Sequence, residues 1–352
     1  MSVQAEKLRK NLSNEGIVVE FISTNPKPPR AIEILARIPV IRTMLRETQY
    51  LFSLRRIALR PGVVHHFSAS YLFFFLHSGP LLLLGKWLPT KVLLNYRGGQ
   101  AAEFLRNWSW AALPLMRAAD KVMVPSAFLQ GIFEGHGLVS ILLPNIADTE
   151  LFPFVDREHL SPRLFISRNL ESMYDVECVL RAFRRIQEKL PQATLGIAGG
   201  GSEANRLRSL VQKWNLGGVS FYGAVPYGEL PFLYKDHDIY VNASRVDNFP
   251  GALVEAACAG LPIVTTRAGG IPEMFRHREN GLLVDIGDDT ALANSVLELL
   301  HHQNWARQLA RTARAWAEQF SWRRVFPQLL RCYGFETEAS DSELRSEHIL
   351  AH

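Results

Sequence analysis

The sequence predicts an α/β protein built from two doubly wound, Rossmann-like domains with parallel sheets. Short apolar, β-branched runs alternate with stretches of helical period along almost the whole chain, and that alternation specifies parallel strands covered by helices on both faces. The length of 352 residues fits two domains of about 150 residues each. The alternation also restarts after a linker, DTELFPFVDREHLSP, in which turn residues mix with charge. Open sheets of this kind hold ligands at the carboxyl ends of their strands, so two such domains facing each other would enclose a cleft there.

In the first domain, residues 3–15 read as a helix and GIVVEFIS (16–23) as a buried strand, which the proline-rich NPKPPR ends. Residues 30–60 read as helical with a break at Pro39, and VVHHFSA (63–69) as a strand. An apolar helical run follows, then the strand KVLLNY (91–96) and, after Gly98-Gly99, a helix over 101–117. KVMVPS (121–126), a helix over 127–135 and VSILLPN (139–145) complete the set. The second domain reads as RLFISRN (163–169), helix 174–189, ATLGIAG (193–199), helix 202–214, VSFYGAV (219–225), a short helix at 227–235 and IYVNAS (239–244). The resulting plan is a domain over 1–150, a second over 160–320, a closing helix over 320–335 and a polar tail over 336–352 expected to be disordered.

Composition limits the function classes. An apolar fraction of 47% with 21% charged residues is globular and supplies two cores. Cys178, Cys258 and Cys332 lie far apart and match neither a zinc nor a disulfide spacing, which points to a reducing, cytoplasmic compartment. Neither His65-His66 nor His301-His302 is a metal clamp, because neighbours in a strand point to opposite faces, so no metal is expected. The N-terminus lacks the apolar core of a signal peptide. The most apolar run, Tyr71–Leu88, is interrupted by His77, Ser78, Gly79 and Pro80, short of the ~20 apolar residues of a membrane span.

Charge is uneven. The first 150 residues carry 17 basic and 10 acidic side chains, against 22 and 24 in the remainder. The basic residues concentrate between Lys27 and Arg60, interleaved with apolar ones. Two readings stand: an amphipathic surface that meets an anionic membrane peripherally through 27–60, or a solvated helical face. No nucleic-acid motif accompanies the charge.

The most informative stretch is Ser244–Val284, SRVDNFPGALVEAACAGLPIVTTRAGGIPEMFRHRENGLLV, which reads as loop, helix, strand, glycine turn, short helix and strand. A helix starting near Gly251 offers unpaired N–H groups and a partial positive charge, a seat for phosphate. Asp247 and Glu255 flank that seat, and carboxylates so placed accept hydrogen bonds from sugar hydroxyls. The plain alternative is an acidic loop residue and a helical Glu on an ordinary β–α unit.

The whole string resembles the donor half of retaining glycosyltransferases of the GT-B fold, family 4, whose signature E-G-[FM]-[GP]-x-x-x-x-E-A-x-A-x-G-x-P-V-[VI] places seven residues between two carboxylates. Asp247, Asn248, Phe249, Pro250, Glu255 and Ala256 stand at the first of these places. Cys258, Gly260, Pro262, Ile263 and Val264 follow, and then Thr266, Gly269, Gly270 and Glu273. A G-x-L-V element ends the string with Gly281, Leu283 and Val284. Asp247 stands for the usual Glu, one methylene shorter.

The resemblance implies two Rossmann-like GT-B domains facing a cleft, a nucleotide diphosphate sugar as donor, front-face transfer of a hexose or N-acetylhexosamine, and no metal. The acceptor would be a glycan, a lipid-linked molecule or a small molecule. Arg168, ending FISRN, is implied to hold the donor diphosphate, Glu255 the ribose and Asp247 the sugar. The N–H groups of Phe249, Gly251 and Ala252 would face sugar or phosphate. The glycine string GIAGGGSEANRL, with Gly199 and Gly200, would lie beside the donor, and Tyr222 and Val225 beside the base. That string lacks G-x-G-x-x-G spacing and no acidic residue ends the next strand, which rejects a dehydrogenase.

Four departures, the first being Asp247 for the usual Glu, define an alternative, a catalytically impaired GT-B module that binds nucleotide sugar or a partner enzyme. Met173 and Tyr174 stand where the family carries a Lys at the diphosphate, with Arg245 as the candidate replacement. Arg97 stands in NYRGGQ where many relatives have a His. The family's first strand and Gly-Gly loop have no counterpart before the helix at 3–15, so the first sheet is expected to be short of an interior strand.

Overall fold

The computed structural model describes residues 3–24, 39–58, 62–335 and 349–351. The chain forms two compact units, one of Met1–Ile146 with Val325–His352 and the other of Ala147–Arg324.

Unit 1 runs α1 (Val3–Asn14), β1 (Val19–Phe21), α2 (Pro39–Ser53), α3 (Arg55–Ala58), β2 (Gly62–Ser68) and α4 (Tyr71–Phe73). It continues through a π-helical turn at Phe74–Ser78 to α5 (Gly79–Gly85), β3 (Thr90–Tyr96), α6 (Ala101–Met116), β4 (Lys121–Val124), α7 (Ala127–Glu134) and β5 (Ile141–Leu142). The break expected at Pro39 is where α2 begins; the helix expected over 30–38 lies outside the described residues. The apolar run 71–88 folds as three short helical pieces, and among the described residues no helix is long and apolar enough to cross a membrane.

With β12 (Ile349–Ala351), all six strands of this sheet are parallel, in the order β1-β12-β2-β3-β4-β5. Alternation sends Val64, Val92, Leu94 and Tyr96 into a core with Phe74, Phe104 and Phe133. The residues between them point to the opposite face.

The interior strand β12 is Ile349–Ala351. The tail read from sequence as disordered therefore ends in a strand, with Ile349 opposite both Val19 and Val63. The physical reason is pairing: the slot between β1 and β2 presents backbone donors and acceptors on both sides, and an extended apolar tripeptide satisfies them.

Unit 2 comprises β6 (Arg163–Ser167), α8 (Val176–Lys189), β7 (Thr194–Ala198), α9 (Ala204–Lys213), β8 (Val219–Gly223), α10 (Leu230–Asp236) and β9 (Ile239–Val241). Then come α11 (Gly251–Cys258), β10 (Ile263–Thr266), α12 (Ile271–Met274), β11 (Leu282–Val284), α13 (Asp289–His301) and α14 (Gln303–Ala317). The closing helix α15 (Trp322–Tyr333) carries the chain back into unit 1 from Val325 onward.

This sheet is also all parallel, in the order β11-β10-β9-β6-β7-β8. The chain starts at the centre, builds outward through β7 and β8, then returns to build the other half from β9. The order reverses between β6 and β9, and a crevice opens outside the carboxyl ends of strands at such a reversal.

Candidate functional site

Arg168 follows β6 directly, and the loop 242–250 follows β9, so the topology delivers both to the reversal point of the unit 2 sheet. There the Arg168 guanidinium forms an ion pair with Asp247 through one Nη and Oδ2. Their side chains are only 11% and 12% exposed. The ring of Tyr174 lies 4.1 Å from the guanidinium carbon and braces the arginine. The Arg168 Nε is buried with no hydrogen-bond acceptor among the described residues. Burial works against its charge, but Asp247 and the nearby tyrosine hydroxyls outweigh it and hold the guanidinium above its ordinary range. Burial raises the Asp247 carboxyl, while Arg168 and the N–H groups of Asn248 and Phe249 pull it back. The Phe249 N–H expected to face substrate is thus directed at Asp247.

Two glycines lock the Asp247 backbone. Gly269 has φ +53°, and a Cβ there would stand 2.1 Å from the Asp247 carbonyl oxygen. Gly270 donates its N–H to the same oxygen at 2.9 Å. The glycine turn read from sequence as a tight bend is therefore also the floor beneath the acidic loop.

Glu255 lies on α11 and is 9% exposed. Its Oε2 accepts a hydrogen bond from the Tyr234 hydroxyl at 3.1 Å. Tyr227 bonds both Glu255 and Asp148, and burial with these two carboxylates pushes its phenol far above the ordinary range, so it stays a donor. The Tyr234 hydroxyl also meets Ser167 Oγ at 2.6 Å, and its ring stacks on Tyr240 at 5.8 Å. Gly251 and Ala252 open the first turn of α11 behind Pro250. A Cβ on Gly251 would sit 4.0 Å from Glu255 Oε1, which places the carboxylate over that turn.

Sequence reasoning missed Tyr227 and Tyr234 because a tyrosine in a short helix carries no signal for which carboxylate it orients. The only cue was the pair of phenols seven residues apart.

The loops after β6, β7 and β8 are laced together. Gly199 adopts φ +147° and donates to Gly223 O at 2.7 Å, while a Cβ on it would meet the Arg168 carbonyl at 1.9 Å. Gly200 accepts from the Leu170 N–H at 2.9 Å. Tyr222 is exposed, with its ring edge-on to His237, and Val225 packs against the α11 core.

Arg245 donates its N–H to Met173 O at 2.8 Å, and its guanidinium pairs with Asp175 at 2.8 Å. Asp175 caps α8 in the left-handed region at φ 43°. A cation therefore stands beside Met173 and Tyr174, bordering a hollow of about 420 Å³ that Arg181, Glu203 and Arg206 also line.

In unit 1, His77 is a packing residue: Nε2 is 3.0 Å from Thr24 O and 3.2 Å from Glu47, and the ring stacks on Phe73. His65 is buried and bonded to Tyr333 and Asn95.

The family model Glycosyl transferases group 1 matches residues 149–316. Sulfoquinovosyl transferase SQD2 of Arabidopsis thaliana is 26% identical over 292 residues, 75% of this chain and 54% of that protein. N-acetyl-alpha-D-glucosaminyl L-malate synthase of Bacillus anthracis is 29% identical over 167 residues, 47% of this chain and 43% of its own length. The chain thus spans about half the length of these two relatives.

Among solved structures, sucrose-phosphate synthase from Thermosynechococcus elongatus superposes with a TM-score of 0.76 at 21% identity, over 94% of this chain and 92% of that one. Anabaena Alr3699/HepE in complex with UDP gives 0.72 at 16% identity, over 95% and 96%. The fold is the two-domain α/β GT-B fold.

Proposed function

We propose, from the premise that this chain belongs through residues 149–316 to the glycosyl transferases group 1 family, that it is a retaining glycosyltransferase. It moves a hexose or N-acetylhexosamine from a nucleotide diphosphate sugar to a glycan, lipid-linked or small-molecule acceptor. The observation that carries this reading is Arg168 at the sheet's reversal point, with a buried, unsatisfied Nε beside Asp247. A guanidinium with a free donor there suits a diphosphate oxygen, and a fixed cation stabilises charge developing on the leaving phosphate. Tyr174 holds its plane. Asp247 takes a hydroxyl of the transferred sugar.

Glu255, oriented by Tyr234 and Tyr227, takes the ribose hydroxyls, and the first turn of α11 adds the N–H groups of Gly251 and Ala252. Arg245 is the second cation near the diphosphate. The acceptor hydroxyl attacks the face from which the phosphate departs. The C1–O bond to acceptor forms as the C1–O bond to diphosphate breaks, and the acceptor's proton passes to the leaving oxygen.

A lipid-linked acceptor gains support from unit 1, where Met44 and Phe52 on α2 and Trp87 and Trp110 beyond it are exposed. Together with the basic stretch at 27–60 they suit peripheral contact with an anionic membrane from the cytoplasmic side. Absence of binding to anionic liposomes at low salt would remove that part.

The second reading, a GT-B module that binds nucleotide sugar or a partner enzyme without transfer, is favoured by one observation. Met173 and Tyr174 leave the diphosphate site without the family's Lys, and Arg168 is already paired with Asp247. Donor-dependent release of UDP or GDP, abolished in Glu255→Ala, is the expected result. Turnover persisting in that variant refutes the site, and binding without transfer or hydrolysis establishes the second reading.

A further inference from the structure

The linker between the two alternations of strand and helix, residues 148–162, folds as part of unit 2. It crosses the C-terminal end of α11, where Val155 donates its N–H to the Ala259 carbonyl at 3.3 Å. Gly260 has φ +78°, and a Cβ there would stand 2.8 Å from the Phe154 ring and 2.9 Å from the Val155 carbonyl oxygen. The glycine two positions before Pro262 is thus where the linker lies directly on the helix end.

Arg157 enters from this linker and is 8% exposed. A helix leaves its last carbonyls without N–H partners, and both α10 and α11 end at the Arg157 guanidinium. In α10, the N–H of Asp238, four residues on from Tyr234, goes instead to the Arg163 carbonyl at 2.8 Å. Arg157 Nη2 donates to the Tyr234 carbonyl at 2.8 Å, and Nε to the His237 carbonyl at 2.9 Å. Just past α11, Nη1 donates to the carbonyls of Ala259 at 3.0 Å and Gly260 at 3.2 Å. The same nitrogen reaches the linker's own Val155 carbonyl at 3.1 Å. Burial draws the guanidinium down to about 10, while Asp238, 3.5 Å from Nε, works against that. It is therefore charged at neutral pH and meets the partial negative charge of both helix ends.

These two helices carry the two partners of one hydrogen bond. Tyr234 on α10 donates to Glu255 on α11 at 3.1 Å across 21 positions of sequence. A relative shift of about 0.5 Å would stretch that contact to the point where a hydrogen bond is lost. A planar guanidinium that grips both helix ends fixes their spacing. A Lys, a point charge on a flexible stem, cannot reach all these carbonyls at once.

We propose that Arg157 is a positioning residue: by tying the end of α10 to the end of α11 it holds the Tyr234 hydroxyl on Glu255, and through Glu255 it sets nucleotide affinity. The tie stands on unit 2 geometry; its effect on the nucleotide rests on the reading that Glu255 takes the ribose hydroxyls.

The test is a double-mutant cycle between Arg157→Lys and Tyr234→Phe in the full chain, read by thermal melts and by calorimetric titration with UDP and, separately, GDP. The guanidinium bonds the Tyr234 carbonyl and not its hydroxyl, so coupling between the two changes passes through the placement of the ring. Arg157→Lys is expected to weaken binding of the nucleotide that wild type takes by about fivefold, the worth of one hydrogen bond. In the Tyr234→Phe background it has no further effect on affinity, and the two melting shifts combine to less than their sum. Gly260→Ala presses a Cβ onto Phe154 and the Val155 carbonyl with the guanidinium intact. It gives the same pattern, so the result does not depend on Arg157→Lys folding. Arg163→Gln, which removes the other arginine on Asp238, melts lower and leaves nucleotide affinity unchanged. Equal weakening with and without the Tyr234 hydroxyl, additive melting shifts, or an affinity loss in Arg163→Gln that matches Arg157→Lys overturns the proposal. So does a nucleotide affinity that falls in Glu255→Ala and stays at the wild-type value in Arg157→Lys. If neither nucleotide binds, or Glu255→Ala leaves binding unchanged, while the melting shifts remain coupled, the ribose reading fails and the positioning tie stands.

Discussion

The Arg168–Asp247 pair gives the sharpest quantitative prediction. The two groups are in salt-bridge contact and about nine-tenths covered. At an effective dielectric near 20, two unit charges at contact attract by about 4 kcal/mol. Removing one partner of a buried pair typically costs about 3–5 kcal/mol, and the residual exposure here moves the expectation to roughly 2–3 kcal/mol. In a unit of this size each kcal/mol shifts the melting temperature by about 2–4 °C.

Asp247→Asn and Arg168→Gln are each expected to lower the melting point of unit 2 by about 5–10 °C. The double variant should fall well short of the sum, with a coupling of about 1–3 kcal/mol. Function separates the two: Asp247→Asn keeps an acceptor for the Asn248 and Phe249 N–H groups and leaves Arg168 for phosphate. It should therefore retain UDP or GDP affinity while losing sugar transfer, whereas Arg168→Gln loses both. Calorimetry for nucleotide binding and scanning calorimetry for stability check this. Additive shifts of under about 2 °C for each single variant would refute the pairing on which the site is built.

Other consequences follow from single contacts. Gly269→Ala forces a side chain into the left-handed region, at roughly 1–2 kcal/mol, and drives its Cβ at the Asp247 carbonyl. The expected result is a lower melting point together with lost transfer; an unchanged kcat would count against the glycine floor. Tyr234→Phe removes the donor to Glu255 and should cost about 1–2 kcal/mol, with weaker nucleotide binding in calorimetry.

Asp289 accepts from Arg181 at 3.2 Å and Arg185 at 2.6 Å. Burial raises its carboxyl, but the two arginines outweigh that and hold it below the usual range. Its stabilisation is therefore complete above the unfolded value of about 3.9 and is lost as pH falls through the lower folded value. Asp289→Asn should lower stability by about 1 kcal/mol at pH 7, an effect that shrinks as pH falls below the usual carboxylate range. A pH-independent effect in denaturant melts would show that the arginines do not set the shift.

Much of this molecule is local information. The two alternations of strand and helix, the glycine turn after LPIVTT and the N-terminus of α11 at Gly251 follow from side-chain period and turn chemistry, which neighbours in sequence fix. Asp247 and Glu255 were legible as carboxylates flanking that N-terminus, whereas Arg168 was nominated by the family resemblance. The tertiary structure alone decided what each of them faces. Arg168 and Asp247 are 79 positions apart, and their ion pair exists because the strand order reverses between β6 and β9. The Phe249 N–H turned toward Asp247, Tyr227 and Tyr234 converged on Glu255, and Arg245 came to stand beside Met173. Ile349–Ala351 entered the interior of the first sheet for the same kind of reason: the slot is defined by β1 and β2, not by the tail.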